Sequence, residues 1–252
     1  MNKFLTLMMC IASIISGFSA AHQVDGDMEN ILVSASLLPI TSKRSANAIT
    51  IIGSDQIKNR AVVSVSDLLR DVAGLAVSRS GVQGSQTQIR VRGGEANHLL
   101  VLIDGVEVNN PSQNDEFNWG NLVASDIERI EVIRGPQSSM LGSDAMAGVV
   151  NIITRSADQP LSTNIFSEIG SFNTQNNGIS IGLKDGAFDM RLGISDLQTD
   201  GDNISRSGSE KDGYENTNLN LKSGWRVSNQ LNLTLAARQS DGINEFDADI
   251  NF

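Results

Sequence analysis

The sequence is poor in the residues on which most catalytic and metal centres depend. Its 252 residues include one cysteine and two histidines, His22 and His98. The cysteine, Cys10, lies in an apolar N-terminal run, so the chain after that run has no disulfide and no thiol chemistry. No zinc-ligand spacing, phosphate-binding glycine loop or nucleophile elbow occurs in the sequence. These absences predict that the protein is not an enzyme.

Basic charge is also scarce. The chain has 19 Lys and Arg against 29 Asp and Glu, which gives a formal net charge of −10. Surfaces that bind nucleic acid need clustered Lys and Arg to meet the phosphates, and no such cluster occurs here. The composition therefore predicts no nucleic-acid partner. Acidic loops are instead suited to cations and to outer surfaces.

Long apolar runs are absent except at the N-terminus. Residues 4–15 are apolar apart from Thr6 and Ser13, and Lys3 precedes them. Small residues at 19–21 stand where signal peptidase requires them, so residues 1–21 are predicted to be a secretory signal peptide. The alternative is a membrane anchor, for which the run is short of the roughly 20 residues that a spanning helix needs.

The part of the chain over residues 40–157 predicts a small α+β domain of short strands. Residues 130–155 contain two apolar strands joined by a short link of small residues, and this unit cannot bury both of its faces alone. A helix is expected over residues 64–72, where Leu and Val residues form one face. A buried strand is expected over residues 99–103, followed by a hairpin turn at residues 104–105.

After Pro160 the helical pattern ends and apolar residues recur at every second position. The alternating runs cover residues 161–169, 179–183, 188–194, 217–225 and 231–237. The opposite faces carry amide and charged side chains, and each run has about the length of a tilted membrane strand. Successive strands of this kind behind a signal peptide are typical of an outer-membrane β-barrel. A soluble antiparallel sheet with one wet face is the alternative.

A polar segment, residues 22–39, separates the signal peptide from the α+β domain. Within it, residues 29–35 read ENILVSA and place three apolar residues in a row between flexible flanks. Such a peptide can add as a strand to the sheet edge of another protein through its main-chain hydrogen bonds. An ordinary first strand of the domain explains the pattern equally well.

Four segments together resemble the plug domain of TonB-dependent receptors. In chain order they read VSDLLRDVAGLAV, QIRVRGGEANHLLVLIDGVEVN, DIERIEVIRGP and RGPQSSMLGSDAMAGVVNIITR. The resemblance covers about residues 28–252. One departure is Met140-Leu141-Gly142, where many members of the family have an aromatic residue before the glycine.

This resemblance implies an architecture and a partner. The α+β plug over residues 40–157 would fill a large antiparallel transmembrane β-barrel of the plugged 22-stranded type, whose first strands are residues 158–252. The protein would lie in the outer membrane of a Gram-negative bacterium, in contact with its lipid. The inner-membrane TonB complex would supply energy by pulling on the plug, and the segment that resembles the TonB box would add to TonB as a strand. The residues of that box would be Glu29, Asn30, Ile31, Leu32, Val33, Ser34 and Ala35.

The resemblance also identifies structural residues at the end of the plug. They are Arg134, Gly135, Pro136, Gly142 and Gly148. A buried arginine needs a partner, so Arg134 is expected to pair with a carboxylate of the plug or of the barrel wall. The alternative is an exposed turn residue.

The substrate implied by the resemblance is cobalamin. Residues 93–98 and 109–121 are similar to the corresponding segments of cobalamin-receptor plugs. The expected substrate-binding residues are Glu95, Asn97, Asn109 and Asn114. Because siderophore receptors share the same plug, a ferric siderophore is the alternative.

Acidic residues of two long links between strands form the one predicted metal site. They are Asp200, Asp202, Glu210, Asp212, Asp241 and Asp247. Clustered oxygen ligands suit Ca²⁺, and cobalamin transporters carry Ca²⁺ in comparable loops. Solvated outer loops, which are often acidic, are the alternative.

About five strands are too few to close a barrel. The open sheet would leave unpaired edges in lipid, which is unfavourable. The sequence is therefore expected to be the N-terminal fragment of a longer receptor. A stand-alone periplasmic binding module that resembles a plug is the alternative from another functional class.

Overall fold

A computed structural model describes residues 31–32, 40–41, 48–204 and 210–245. The helices are α1 (Ser54–Arg60), α2 (Val65–Leu69) and α3 (Ser138–Leu141). The shorter strands are β1 (Ile31–Leu32), β2 (Ile40–Thr41), β3 (Ala48–Ile52), β4 (Leu75–Arg79), β5 (Thr87–Val91), β6 (Leu99–Ile103), β7 (Val106–Glu107), β8 (Ile127–Arg134) and β9 (Gly148–Thr154). The longer strands are β10 (Leu161–Ile169), β11 (Gln175–Asp185), β12 (Phe188–Thr199), β13 (Tyr214–Arg226) and β14 (Asn232–Asn244).

The plug is built on a five-stranded sheet with the order β3-β8-β9-β6-β7. β6 and β9 are parallel and the other neighbours are antiparallel. β8 and β9 lie side by side and are linked through α3, which is the strand–link–strand unit that residues 130–155 predict. The sheet is apolar on both faces: Val132 and Val150 pack in the larger cluster, and Ile133 and Val149 in the smaller one. The plug therefore has a hydrophobic core of its own.

The helix over residues 64–72 is shorter than the sequence predicts. Ser64 caps it, because its hydroxyl accepts a hydrogen bond from the amide of Ser66. The helix ends at Leu69, where the amide of Val72 bonds the Leu69 carbonyl three residues back and tightens the last turn. Leu68 and Leu69 are fully buried in the larger cluster, so the apolar face lies where the pattern places it.

The second sheet consists of β10 to β14 in sequence order, all antiparallel. Its outward face is apolar and exposed at Leu161, Ile165, Ile169, Ile181, Leu183, Phe188, Leu192, Leu219, Trp225, Leu233, Leu235 and Ile243. Its other face packs on the plug and buries Asn176, Ser180, Arg191, Ser195, Asn216 and Asn218. The predicted fold class, an α+β plug followed by antiparallel strands with outward apolar side chains, is confirmed.

The connections between strands of the second sheet differ in length. In the second sheet, a two-residue turn joins β11 to β12, whereas residues 200–213 link β12 to β13. Within the described residues, the helices are all too short to form an apolar span across a membrane. At the outer edges of the second sheet lie β10 and β14.

Candidate functional site

The contact between the plug and the second sheet contains several buried polar side chains. Arg191, on β12, is buried, and its Nε lies 3.0 Å from Oδ1 of Asp126, the residue directly before β8. The same guanidinium donates a 2.6 Å hydrogen bond to the Ser180 hydroxyl on β11. Burial raises the pKa of Asp126, and the Arg191 charge opposes that rise only in part. The pair therefore fixes a charge between plug and sheet.

A second ion pair crosses the same contact. Nζ of Lys222, on β13, lies 2.7 Å from Oδ1 of Asp104, the first residue of the β6–β7 turn. The ammonium group also donates to the Thr154 carbonyl at 2.8 Å, while the Thr154 hydroxyl donates to Oδ2 of Asp104 at 2.5 Å. Both charged side chains are largely buried, at 16% and 6% exposure. Such a pair is costly to break from one side.

The far ends of β13 and β14 hold the plug with neutral groups. The Tyr214 hydroxyl lies 3.0 Å from Oδ1 of Asn121, and the Asn216 amide donates to the Asn121 carbonyl at 3.2 Å. On β14, the Ser240 hydroxyl lies 3.4 Å from the same carbonyl. The plug is thus attached to three neighbouring strands, β12 to β14, by polar side chains.

A cleft of about 660 Å³ lies between the plug and strands β10 to β12. Its charged lining residues are Lys58, Glu128, Arg155, Asp158, Glu168 and Arg191. Positive and negative side chains are equal in number, and serine and asparagine side chains separate them. The volume lies in the range of small-molecule sites, while the balanced polar lining is that of a hydrated space.

The predicted substrate residues lie on two loops of the plug. Glu95 precedes a short 3-10 turn at Ala96–His98 and is exposed, and Asn97 lies inside that turn. Asn114 is exposed in the left-handed conformation directly after a second 3-10 turn, Pro111–Gln113. Contact with a substrate stays a prediction for these residues.

Asn109 has a clear role inside the plug. Its Oδ1 accepts a 2.8 Å hydrogen bond from the Val101 amide, and its Nδ2 donates to the Leu99 carbonyl at 3.0 Å. Nδ2 also donates to the Asp115 carbonyl at 2.7 Å. The side chain thus extends the edge of β6 and fixes the loop that follows it. The predicted contact of Asn109 with substrate would compete with these three hydrogen bonds.

The expected carboxylate partner of Arg134 is wrong for the described residues. The guanidinium instead donates to the carbonyls of Ala48 and Ala73, at 3.3 and 2.5 Å, and to the Thr50 hydroxyl at 2.8 Å. Arg134 is also not a free turn residue, since it ties the end of β8 to β3 and to the segment after α2. The guanidinium has five N–H donors and no acceptor, and carbonyl and hydroxyl oxygens can satisfy these donors without a carboxylate.

The other predicted structural residues surround the β8–β9 link. Gly135, the first residue of the link, and Gly142, directly after α3, adopt positive φ, and Pro136 is exposed. A side chain at Gly148 would place its Cβ 2.5 Å from the Ile133 carbonyl oxygen, so only glycine lets β8 and β9 approach here.

Only part of the predicted TonB box lies within the described residues. Ile31 and Leu32 form β1, which pairs antiparallel with β2 at Ile40–Thr41. Glu29, Asn30, Val33, Ser34 and Ala35 lie outside the described residues, as does the predicted signal peptide over residues 1–21. The pairing shows that this segment can form a strand, and its binding to TonB stays a prediction.

The predicted calcium ligands are engaged within the protein. Asp200 pairs with Lys211 at 3.0 Å, and the hydrogen bond from that ammonium group lowers the pKa of Asp200. Asp212 is buried and accepts a hydrogen bond from the Ile204 amide. In the described part of the chain, no group of three or more acidic, histidine or cysteine residues could hold a metal ion.

The remaining predicted ligands add little to this picture. Oδ1 of Asp202 accepts a hydrogen bond from the Asn203 amide, and Oδ2 of Asp241 accepts one from the Gln239 side chain. Glu210 belongs to the same link as Asp202, and Asp247 lies outside the described residues. As placed, the described residues do not form a calcium site, and calcium binding stays a prediction.

Sequence reasoning missed both ion pairs between plug and sheet. The sequence indicates only one side of each pair, because Arg191 and Lys222 are charged residues on the predicted inward face of membrane strands. Their partners, Asp126 and Asp104, lie 65 and 118 residues earlier in the chain, and no local pattern identifies them.

Comparison with known proteins agrees with this architecture. A family model described as the TonB-dependent receptor plug domain matches residues 41–149. A curated relative, the vitamin B12 transporter BtuB of Vibrio vulnificus (strain CMCP6), is 28% identical over 252 residues. The alignment covers 98% of this chain and 41% of the relative, so the chain spans less than half of that protein's length.

Solved structures share the fold. The siderophore receptor PirA from Acinetobacter baumannii has a TM-score of 0.64 and 24% identity, over 78% of this chain and 32% of that one. A mutant of the ferric enterobactin receptor PfeA from Pseudomonas aeruginosa has a TM-score of 0.65 and 24% identity, over 79% and 34%. The plug motifs, the family model and the fold agree. Residues 41–149 are a plug domain of the TonB-dependent receptor type, and the chain as a whole is similar in sequence and fold to TonB-dependent receptors, which are receptors and not enzymes.

Proposed function

We propose that the protein to which this chain belongs is an outer-membrane receptor that takes up cobalamin with energy from TonB. The observation that carries the substrate is the similarity to the vitamin B12 transporter, which extends over 98% of the chain and is not confined to the plug. The siderophore receptors support the fold alone, because their identity with this chain is 24% or less.

The outer-membrane location is supported by the side chains of the second sheet. β10 to β14 expose a continuous apolar face and bury amide and charged side chains against the plug. Soluble proteins rarely leave so large an apolar surface in water. The arrangement is the one that a strand needs when lipid lies outside it and a polar interior lies within. Residues 1–21 would direct export.

Substrate binding and uptake then involve different parts of the chain. The exposed loops around Glu95, Asn97 and Asn114 would contact cobalamin, and residues 29–35 would add as a strand to the sheet of TonB. The cleft beside α1 lies between the plug and the second sheet, which forms the wall of the barrel. A solute has to pass between the two. TonB and a small-molecule substrate are thus the proposed partners, with the lipid of the outer membrane around the strands.

The substrate is tested by titrating the purified protein in detergent with cyanocobalamin and, separately, with ferric catecholate and hydroxamate chelates. The proposal predicts saturable binding of cyanocobalamin and none of the ferric chelates. Binding of a ferric chelate alone would replace cobalamin by a siderophore. Recovery of the protein wholly in the periplasm would favour a soluble plug-like module instead.

The TonB contact has a separate test. Leu32→Pro removes a backbone donor and fixes φ, so it should prevent strand addition without touching the substrate loops. We expect uptake to be lost while the dissociation constant for cyanocobalamin is unchanged. Ser36→Ala, just outside the segment, is the matched control. Normal uptake by the Leu32→Pro variant would contradict the assignment of residues 29–35.

A further inference from the structure

We propose that Tyr214 is a positioning residue that fixes the outer loops of the plug to the wall and so sets the geometry of the substrate-binding surface. Tyr214 is the first residue of β13 and follows the long link from β12. It is the only tyrosine in the chain and has 1% exposure. Two plug loops meet at its side chain. The first contains Gly120 and Asn121, and the second contains Gly84.

The hydroxyl end of Tyr214 contacts the first plug loop. It lies 3.2 Å from the Gly120 carbonyl oxygen and 3.0 Å from Oδ1 of Asn121, and its single hydrogen serves one of them at a time. The Asn216 amide donates to the same hydroxyl oxygen and to the Asn121 carbonyl. The tyrosine oxygen is thus both donor and acceptor, and phenylalanine would leave its partners unmatched.

The ring of Tyr214 contacts the second plug loop, at Gly84. A Cβ added to Gly84 would lie 2.1 Å from Cδ2 of the ring, so the backbone touches the aromatic face directly. The two plug loops are packed equally closely on each other, because a Cβ at Gly120 would lie 2.7 Å from the Gly84 carbonyl oxygen. Neighbouring β14 adds a hydrogen bond from the Asn244 side chain to the Ser85 hydroxyl at 3.3 Å.

These contacts connect the wall to the loop that carries the predicted ligand residues. Asn121 ends the segment that begins at Asn109 and contains Asn114. One end of that segment is fixed to β6 by Asn109 and the other end to β13 by the contacts of Asn121. The exposed residues between the two ends are then held in a fixed position relative to the rest of the plug. A shift of this anchor moves the binding surface without unfolding it.

The first test needs no ligand. Nitroxide labels at Gln86 and Glu215, both exposed, report the distance between the plug loop and the wall. Cys10 is the chain's only cysteine and lies in the predicted signal peptide, so introduced cysteines label alone. Tyr214→Phe and Asn121→Leu should broaden the distance distribution, while Asn121→Asp keeps the acceptor oxygen and should leave it narrow. An unchanged distribution in both damaging variants overturns the inference.

The second test rests on the proposed function, since it uses cyanocobalamin. Calorimetric titration well below the unfolding temperature should show a dissociation constant about fivefold to tenfold higher for Tyr214→Phe, as expected for one lost buried hydrogen bond. The number of binding sites per protein should stay the same. A purely structural role would lower the number of sites at unchanged affinity, and that result would overturn the inference.

The matched control is Thr217→Val on the same strand. The Thr217 hydroxyl donates to Asp196 within the wall at 2.9 Å and does not touch the plug. We expect both the distance distribution and the binding constant of this variant to equal those of the wild type. If the wild type binds no cyanocobalamin, the proposed substrate fails, and the label distances still decide the role of Tyr214.

Discussion

In the plug, β8 and β9 bury apolar side chains on both faces, with Val132 and Ile133 on opposite sides and both fully buried. In the second sheet, β12 buries Arg191 and Ser195 while Leu192 between them is exposed. Both regions are β-sheets of the same chain. They differ in the side on which the apolar residues lie.

The difference identifies what surrounds each region. The plug packs as a soluble domain does, with an apolar interior that excludes water. The second sheet has a polar inner face and an apolar outer face. This arrangement is stable only if the medium outside the outer face is itself apolar. Two buried ion pairs and an amide–hydroxyl network join the two regions, together with one small apolar cluster in which Val123 of the plug packs with Leu197 and Tyr214.

The largest expected effect concerns the plug core. Leu68→Ala removes a fully buried side chain and should lower the free energy of unfolding by about 4 kcal/mol. Leu219→Ala makes the same chemical change at 43% exposure on the outer face and should cost well under half as much. Urea unfolding of the protein in lipid bilayers measures both. Equal losses would mean that the two regions do not differ in packing.

The next effect concerns the contact between the regions. Lys222→Met keeps the length of the side chain and leaves Asp104 buried without its cation, so we expect a loss of about 3 kcal/mol. Lys211→Met removes the ammonium group of an exposed pair with Asp200 and should produce no measurable change. The same unfolding assay compares them. If Lys222→Met is as harmless as Lys211→Met, the plug is not held through this ion pair.

A charge on the outward face tests the apolar exterior by depth. Leu219→Arg, near the middle of β13, should cost about 2 to 3 kcal/mol in a bilayer. Glu215 lies on the same face of β13 but nearer the strand end, so Glu215→Arg should cost less than about 1 kcal/mol. Folding yield and stability in vesicles measure the difference. A soluble sheet would tolerate both changes equally.

The smallest effect is a pH dependence at the Arg191–Asp126 pair. Burial raises the pKa of Asp126 above its ordinary value of 3.8, so the folded protein holds the proton more tightly than the unfolded chain. That contribution is complete below the ordinary value and is lost as the pH rises through the folded-state pKa. Asp126→Asn cannot lose a proton.

The stability of Asp126→Asn relative to the wild type should therefore rise as the pH increases above about 4. Unfolding midpoints measured at a series of pH values give this difference directly. Asp158→Asn, which changes an exposed carboxylate of the same cleft, is the matched control. A difference that falls with increasing pH would reverse the sign of the Asp126 shift.

Much of this fold could be predicted from local pattern. Alternation over residues 161–169 and 188–194 identifies strands because their side chains meet different solvents on the two faces. The strand–link–strand unit of residues 130–155 is visible for the opposite reason, since continuous apolar runs indicate a sheet buried on both faces. The pattern places helix α2 correctly but extends it to residue 72, whereas the helix ends at Leu69.

The polar contacts could not be predicted in the same way. Arg134 bonds backbone carbonyls, and every residue carries one, so sequence does not distinguish among partners. Asn109 bonds the backbone of β6, and its side chain alone does not reveal whether it serves the fold or a ligand. The partners of Arg191 and Lys222 depend on the registers of several strand pairs at once.

The central claim is that the outward face of β10 to β14 contacts lipid while the plug lies in a hydrated interior. Ile181, Leu192 and Leu221 are register neighbours in one row across β11, β12 and β13. Single nitroxide labels at these positions, and at exposed Val106 of the plug, are compared in bilayers by collision with oxygen and with a water-soluble nickel chelate. We predict that the row meets oxygen and not the chelate, and that Val106 meets the chelate. Access of the chelate to the row would contradict the account.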